Sequence, residues 1–474
     1  MPRWPPQSLR DSSPKGGASA KSPAMYRVAL LTAPWREPVR ALQPFRDEPH
    51  ACALLSGGGE RWSYLLRAPE AVLTLDAADP RDPFEALSAL IGPRLPVDPE
   101  GPPFQGGVVG LGTYELGDRV ERLGLGRTGW PDLACARYSA LLAFDHQALR
   151  VVAVGRGDTD AQAGERARAA LTWLDAAVDA RPPVEGPLCA ALTATDGKAY
   201  EAAVADVVAR IHGGEIFQAN IARAWTGRLA DGVDPFDLLA RLRAQSPAPF
   251  SAYWRLEGRA LVSNSPERFL KVSGADGGIE TKPIKGTRRR GATPAEDAVM
   301  IAELSASAKD RAENLMIVDL MRNDLARVSP PGSVKVPALF GVETFVNVHH
   351  LVSTVTGRLA PGLSVADLLR ATFPPGSITG APKVQAMKVI AQLEPPRGPY
   401  CGSLFWAGFD GSFDSSVLIR TVGLERDSEG WTFQARAGAG IVADSDPQAE
   451  RLETETKIAA LKRALTEPMT EMTR

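Results

Sequence analysis

Apolar and polar positions along the chain divide it into strands and helices of both kinds. Residues 26–33 (YRVALLTA) and 148–155 (ALRVVAVG) are short apolar runs that predict strands. Ala-rich sequence with spaced Leu, Trp and Val predicts a helix over 160–180. Residues 198–212 carry Ala, Val and Ile at helical spacing and stop at Gly213-Gly214; the following IFQANIARAW alternates as a strand does. Further helices are predicted at 309–328, 365–374, 381–394 and 448–465. Residues 334–359 are rich in Val and Thr and predict strand, while 415–425 and 431–443 read as paired strands. There is no internal repeat and no heptad run. The fold class is α/β or α+β.

Boundaries follow from composition. Residues 1–24 are rich in Pro, Ser, Gly and Ala without an apolar h-region, which predicts no secretory signal and either a disordered tail or an upstream start ahead of a beginning at Met25. ARPPVEGP at 180–187 is the best linker, giving an N-terminal lobe over 25–185 and a second part over 186–474. No apolar run approaches the ~18–20 residues that span a bilayer. With 54 basic and 56 acidic residues the net charge is −2, which argues against a nucleic-acid binder. Four dispersed cysteines without a CxxC pair argue against thiol redox chemistry and a zinc site, and fit a reducing, cytosolic compartment. The Gly-rich stretch 106–117 misses dinucleotide-loop spacing and reads as a turn beside a strand.

Several residue sets could carry chemistry. Asp310 with Glu313, and Glu450 with Glu453, are i, i+3 pairs on two predicted helices. Facing each other they would make an oxygen-only Mg²⁺ site; singly, each is a solvated acidic face. Arg420 in VLIRT is either a buried ion pair or a clamp for a substrate carboxylate. Gly438-Ala439-Gly440 is either a bulge or a place where a ligand approaches the backbone. Ser377, Thr379 and Gly380 run towards a helix N-terminus, as an anion cradle or as ordinary capping. Only 12 of the 54 cationic residues are Lys, so Lys285, between Pro283-Ile284 and Gly286, invites a reading as an amine nucleophile or base rather than a surface charge. His350 is a core residue or an acid/base. The residues alone reach a Mg²⁺-dependent enzyme acting on a small polycarboxylate.

Taken together, FQANIAR, SPERFL, TKPIKGTRRRG, KDRAENLMIVDLMRNDLARV, HHLVSTVTG, FPPGSITGAPK, IRT and GAGIVADSDPQAERLETETK occur in order over about 250 residues and strongly resemble the chorismate-utilising enzymes. The resemblance implies a two-lobed fold of two β-sheets packed face to face with flanking helices, its 186–474 part being the chorismate-binding catalytic domain. It implies that Glu313, Glu450 and Glu453 hold Mg²⁺ with Asp310 nearby. Arg420, Gly438, Ala439, Gly440 and Lys457 would hold the enolpyruvyl carboxylate. Ser377, Thr379 and Gly380 would line the pocket with Thr287. His350 would face the ring, and Glu267 would be the general acid for the departing 4-hydroxyl.

Two positions choose among branches of the family. The isochorismate and salicylate branch has a water-activating Lys where this chain has Gln218, which implies ammonia as nucleophile. The anthranilate-forming branch typically reads PIAGT where this chain has Lys285, which implies amination at C4 through attack of that amine on C2. The MRND wording at 321–324 favours the same branch. C2 amination with pyruvate loss is the alternative. No G-x-C-x-G elbow surrounds any cysteine, so a glutamine amidotransferase subunit, or free ammonium, is the implied ammonia source. The family pattern GSxGY is departed from at Phe405, where Gly is usual, and at Trp406, where a substrate-contacting Tyr is usual.

Overall fold

The computed structural model describes residues 27–57, 60–179, 182–345 and 348–469; the tail expected at 1–24 lies outside them. Its strands form two antiparallel sheets of 12 and 10 strands. The first runs from Arg27–Pro34 at one edge to Gly430–Ile441 and Gln218–Leu229 at the other, ending in the short strand Gly380–Ala381. The second runs from Ile284–Arg289 through Val348–Arg358, Arg268–Val272 and Ser403–Gly408 to Ala71–Leu75. Strands from either side of residue 185 share both sheets: Cys52–Leu55 pairs with Phe250–Leu256, and Gly107–Gly112 with Ser403–Gly408. The division at 185 is therefore one of the chain and not of the sheets.

The sheets face each other across a core that includes Leu66 and Trp254 from one and Val109, Tyr138 and Leu404 from the other. Helices cover the outer faces. Pro447–Thr466 and Pro235–Gln245 pack on the first sheet through Leu461, Leu238 and Leu242 against Phe433 and Val262. Ala308–Ala326 packs on the second through Ile317, Val318 and Met321. Their starts follow capping chemistry: Ser307 accepts from the Asp310 N–H, and Asp446 from the Ala449 N–H with Pro447 in the first turn.

Two sequence expectations change. The run 415–425 is not one strand: Phe413–Val417 lies in the second sheet and Thr421–Asp427 in the first, so Leu418–Arg420 crosses between them. The chain makes a second such crossing at Pro266-Glu267, between Arg259–Ser265 and Arg268–Val272. The Gly-rich stretch is itself a fully buried strand, Gly107–Gly112. Its Gly110 lies in register with Phe405, and a Cβ there would fall inside the Phe405 ring.

Strand alternation sends Phe405 outward, to pack near Phe413 and Tyr114, and Trp406 into the inter-sheet core, where it stacks on Phe104 at 4.9 Å. Phe405 is thus a packing residue. Phe405→Ala is expected to lower stability by about 3–5 kcal/mol in a urea titration while leaving substrate affinity within about twofold.

Candidate active site

The two crossings bring both sheets to one cleft end. Glu267 sits on the Pro266-Glu267 crossing and is 7% exposed. It accepts a hydrogen bond from Ser377 Oγ at 2.8 Å. Burial pushes its carboxyl up to about 7, against the opposing pull of Ser377, Lys285 and Lys457. Such a group carries a proton near neutrality, as a general acid must. Arg420 ends the Leu418–Arg420 crossing in the left-handed region, at φ 51°. It makes no ion pair among the described residues, and burial lowers its pKa while the Tyr400 and Glu453 charges oppose that.

Lys285 lies on Ile284–Arg289, followed by Gly286 at φ 78°. Asn314 holds that turn by donating to the carbonyls of Pro283 and Leu351. The Lys285 side chain is 14% exposed, with Nζ 3.8 Å from Glu313. Burial lowers its pKa and Lys457 lowers it further, while Glu313 and Glu267 oppose the shift. Across the cleft, the position a Cβ would take on Gly440 is 3.1 Å from Lys285 Nζ and 3.0 Å from Gln218 Nε2. Lys285, Gln218 and Gly440 therefore meet, one from the second sheet and two from the first.

Gly438, Ala439 and Gly440 form regular strand in register with Ala222, Ile221 and Asn220, without a bulge. A Cβ on Gly438 would stand 2.6 Å from the Ile221 carbonyl, so glycine keeps this surface open. Ala439 turns its side chain away, into the core with Tyr200 and Val204, and offers the cleft only backbone. Lys457 donates to the Gly438 carbonyl at 2.9 Å and pairs with Glu453 at 2.6 Å.

The 376–382 segment does not cap its helix. Pro382 is the N-cap of Lys383–Leu393 and makes no side-chain cap bond. Ser377 is spent on Glu267, and Thr379 Oγ1 donates to the Pro375 carbonyl. Gly380, at φ 138°, has room for no Cβ against the Gln218 carbonyl. The segment forms a wall behind Glu267 and Gln218.

The carboxylates come from two helices. Burial raises the Glu313 and Glu450 pKa values, and the Glu453 charge adds to both shifts. Burial works against the Glu453 charge too, but the bonded Lys457 ammonium together with Lys285 and Lys309 holds that carboxyl low. Glu450 accepts from Ser445 Oγ at 2.7 Å. Among the described residues no group of three or more such side chains stands converged for a metal. Asp310 is turned towards the Lys285 loop, accepting from Arg288 at 3.2 Å beneath Gly286. His350 pairs with Thr287 Oγ1 through Nδ1 at 2.9 Å, and burial lowers its pKa, keeping the ring neutral.

With that geometry in view, comparison with known proteins is decisive. The family model described as chorismate binding enzyme matches residues 50–463. The chain belongs to the chorismate binding enzymes. Aminodeoxychorismate synthase component 1 of Klebsiella aerogenes is 39% identical over 92% of this chain and 98% of its own length. Anthranilate synthase component 1 of Streptomyces coelicolor is 38% identical over 87% of this chain and 82% of its own length. The crystal structure of anthranilate synthase component I from Streptococcus pneumoniae TIGR4 superposes with a TM-score of 0.75 at 27% identity, covering 86% of this chain and 93% of that one. The two facing sheets and flanking helices expected from the sequence are those of this chorismate binding fold.

Some cleft residues of this family member escaped sequence reading. Asn220 shares the inward face of its strand with Gln218, an i, i+2 relation already visible in FQANIAR. Arg397, Glu394 and Glu115 form a buried network behind that strand, and Glu115 lies far in sequence from the other two. Trp406 was expected at the substrate; it rests on Phe104 in the inter-sheet core.

Proposed function

We propose that this chain aminates chorismate at C4, giving 4-amino-4-deoxychorismate for 4-aminobenzoate and folate synthesis. The observation that carries the proposal is Lys285, a nearly buried amine with lowered pKa, set between Gln218 and Glu313. The resemblance to aminodeoxychorismate synthase component 1 proteins supports the same reading.

The chemistry assigns each group a task. Arg420 and Lys457 receive the enolpyruvyl carboxylate over the open backbone of Gly438 and Gly440. The neutral Lys285 amine adds to ring C2, both ring double bonds shift, and the C4 hydroxyl departs. Glu267 gives it a proton, so that it leaves as water. Ammonia then adds to C4, the double bonds shift back, and the Lys285 amine leaves C2. The surplus proton of the new amine returns to Glu267 through solvent. The balance is chorismate plus ammonia to product plus water, with no oxidant. His350 and Thr287 border the ring, and Ser377 holds Glu267 in place.

Mg²⁺ fits the donor chemistry of Glu313, Glu450 and Glu453, which is oxygen-only, with the Glu453 charge raising the pKa values of Glu313 and Glu450, a repulsion that a cation relieves. Bound there, it would neutralise the ring carboxylate and withdraw charge from the ring.

Ammonia from a glutamine amidotransferase subunit completes the proposal. All four cysteines are free and buried, and burial pushes the Cys401 thiol up to about 12, so none suits a glutaminase nucleophile. Free, buried thiols also agree with a cytoplasmic location, and no helix among the described residues is long and apolar enough to cross a membrane. Purified chain with chorismate and Mg²⁺ is expected to consume chorismate when given ammonium chloride, and not when given glutamine instead. Equal consumption with glutamine alone would contradict the partner; none with ammonium would contradict the amination.

A further inference from the structure

Two neutral amides in the cleft have atoms that nothing satisfies. Gln218 is fully buried, and neither atom of its amide has a hydrogen-bond partner. Asn220 is 6% exposed, and its Oδ1 is buried without a partner. A buried acceptor left unpaired keeps its full desolvation penalty, so an orphan of this kind marks a place for a ligand.

Both side chains face the same open glycine strand, Asn220 at Gly438 and Gln218 at Gly440. They are two residues apart on one strand and share a face. Asn220 Oδ1 is 2.9 Å from the Cβ position of Gly438, and Gln218 Nε2 is 3.0 Å from that of Gly440, where Lys285 Nζ also arrives at 3.1 Å. The glycines leave the space open, and the amides face it beside the proposed nucleophile.

The Asn220 backbone is fixed from behind. Its N–H donates to the Thr379 carbonyl at 2.9 Å, and its carbonyl accepts from Arg397 at 2.6 Å. Arg397 is 1% exposed and pairs with Glu394 at 2.9 Å, and Glu394 in turn accepts from the Ala222 N–H. An amide mounted on so braced a strand is preorganised for whatever it receives.

The free atoms also say what fits. Asn220 Oδ1 is an acceptor and would repel a carboxylate oxygen; the cleft cations Arg420 and Lys457 are available for that. A small, uncharged group rich in N–H fits an acceptor pair next to an amine. We infer that Asn220 holds the incoming ammonia, its carboxamide oxygen accepting one N–H beside the Gln218 amide, so that the nitrogen is aimed at the ring. This rests on the amination reading above. A water, of similar size and also a donor, can stand there between turnovers.

The test separates the two substrates of the reaction. Rates are measured with ammonium varied at saturating chorismate, then with chorismate varied, for the wild type, Asn220→Leu and Asn220→Asp. Asn220→Leu removes the acceptor and is expected to raise the KM for ammonium about tenfold or more, with the chorismate KM and its calorimetric Kd within about twofold. Asn220→Asp keeps an acceptor and is expected to stay within about threefold of the wild type for ammonium. If Asn220→Leu loses chorismate binding, Asn220→Ala, which only deletes the amide, carries the same expectation. An unchanged ammonium KM, or equal shifts for both substrates, overturns the assignment to ammonia. A wild type that uses no ammonium at all would instead remove the amination reading itself.

Discussion

Lys285→Ala is expected to reduce kcat for chorismate amination by roughly 10³-fold or more, with chorismate affinity largely kept. The amine is the attacking group in the proposed sequence, and its two neighbours do not replace it: Gln218 is a neutral amide, and Lys457 bonds Glu453 and the Gly438 carbonyl and has its remaining N–H for the enolpyruvyl carboxylate. Lys285→Arg sharpens the reading. It preserves the charge near Glu313, but a guanidinium stays protonated at any working pH and cannot attack carbon. Both variants should therefore fail alike. If Lys285 were only a counter-ion for Glu313, the Arg variant would recover most of the rate. Steady-state rates for the two variants, beside calorimetric chorismate binding, decide the matter.

Glu267→Gln is expected to lower kcat by about 10²–10⁴-fold, the range for loss of a positioned acid. The pH profile gives an independent reading. Glu267 must be protonated to release the hydroxyl, and its pKa is pushed up to about 7, so kcat should fall as pH rises through that region. Lys285 must be unprotonated, and its pKa is lowered, so the rate should rise with pH on the acid side. The profile is a bell, and the Gln variant should lose the falling limb while keeping the rising one. A profile in which both limbs survive would place the acid elsewhere.

Much of this cleft was legible in the sequence. Glu450 and Glu453 at i, i+3 do lie together on Pro447–Thr466, because a helical face needs no tertiary information. The turn bearing Lys285 was marked by Pro283 and Gly286, and Gly286 has the positive φ such a turn requires. What escaped was decided at long range. The run 415–425 has strand propensity throughout, and only the facing of each half towards a different sheet breaks it at Leu418–Arg420. That break positions Arg420, just as the crossing at Glu267 positions the acid. Gly107–Gly112 looked like a turn because glycine disfavours strands; the Phe405 ring occupies the space that side chains would fill. Asp310 shares a helix with Glu313, but a contact with Arg288, on another strand, turns its carboxylate to the Lys285 loop. The orphan amide of Asn220 is a property of packing, which no local pattern reports.

The most direct measurement identifies the product. Purified chain is mixed with chorismate, Mg²⁺ and an ammonium salt near pH 8.5, and the product is identified by mass and fluorescence. The account predicts a non-aromatic amine that still carries the enolpyruvyl group, the outcome of C4 amination through Lys285. Fluorescent anthranilate with release of pyruvate would contradict it, because the nitrogen would then have entered at C2 and Lys285 would have no covalent part in the reaction.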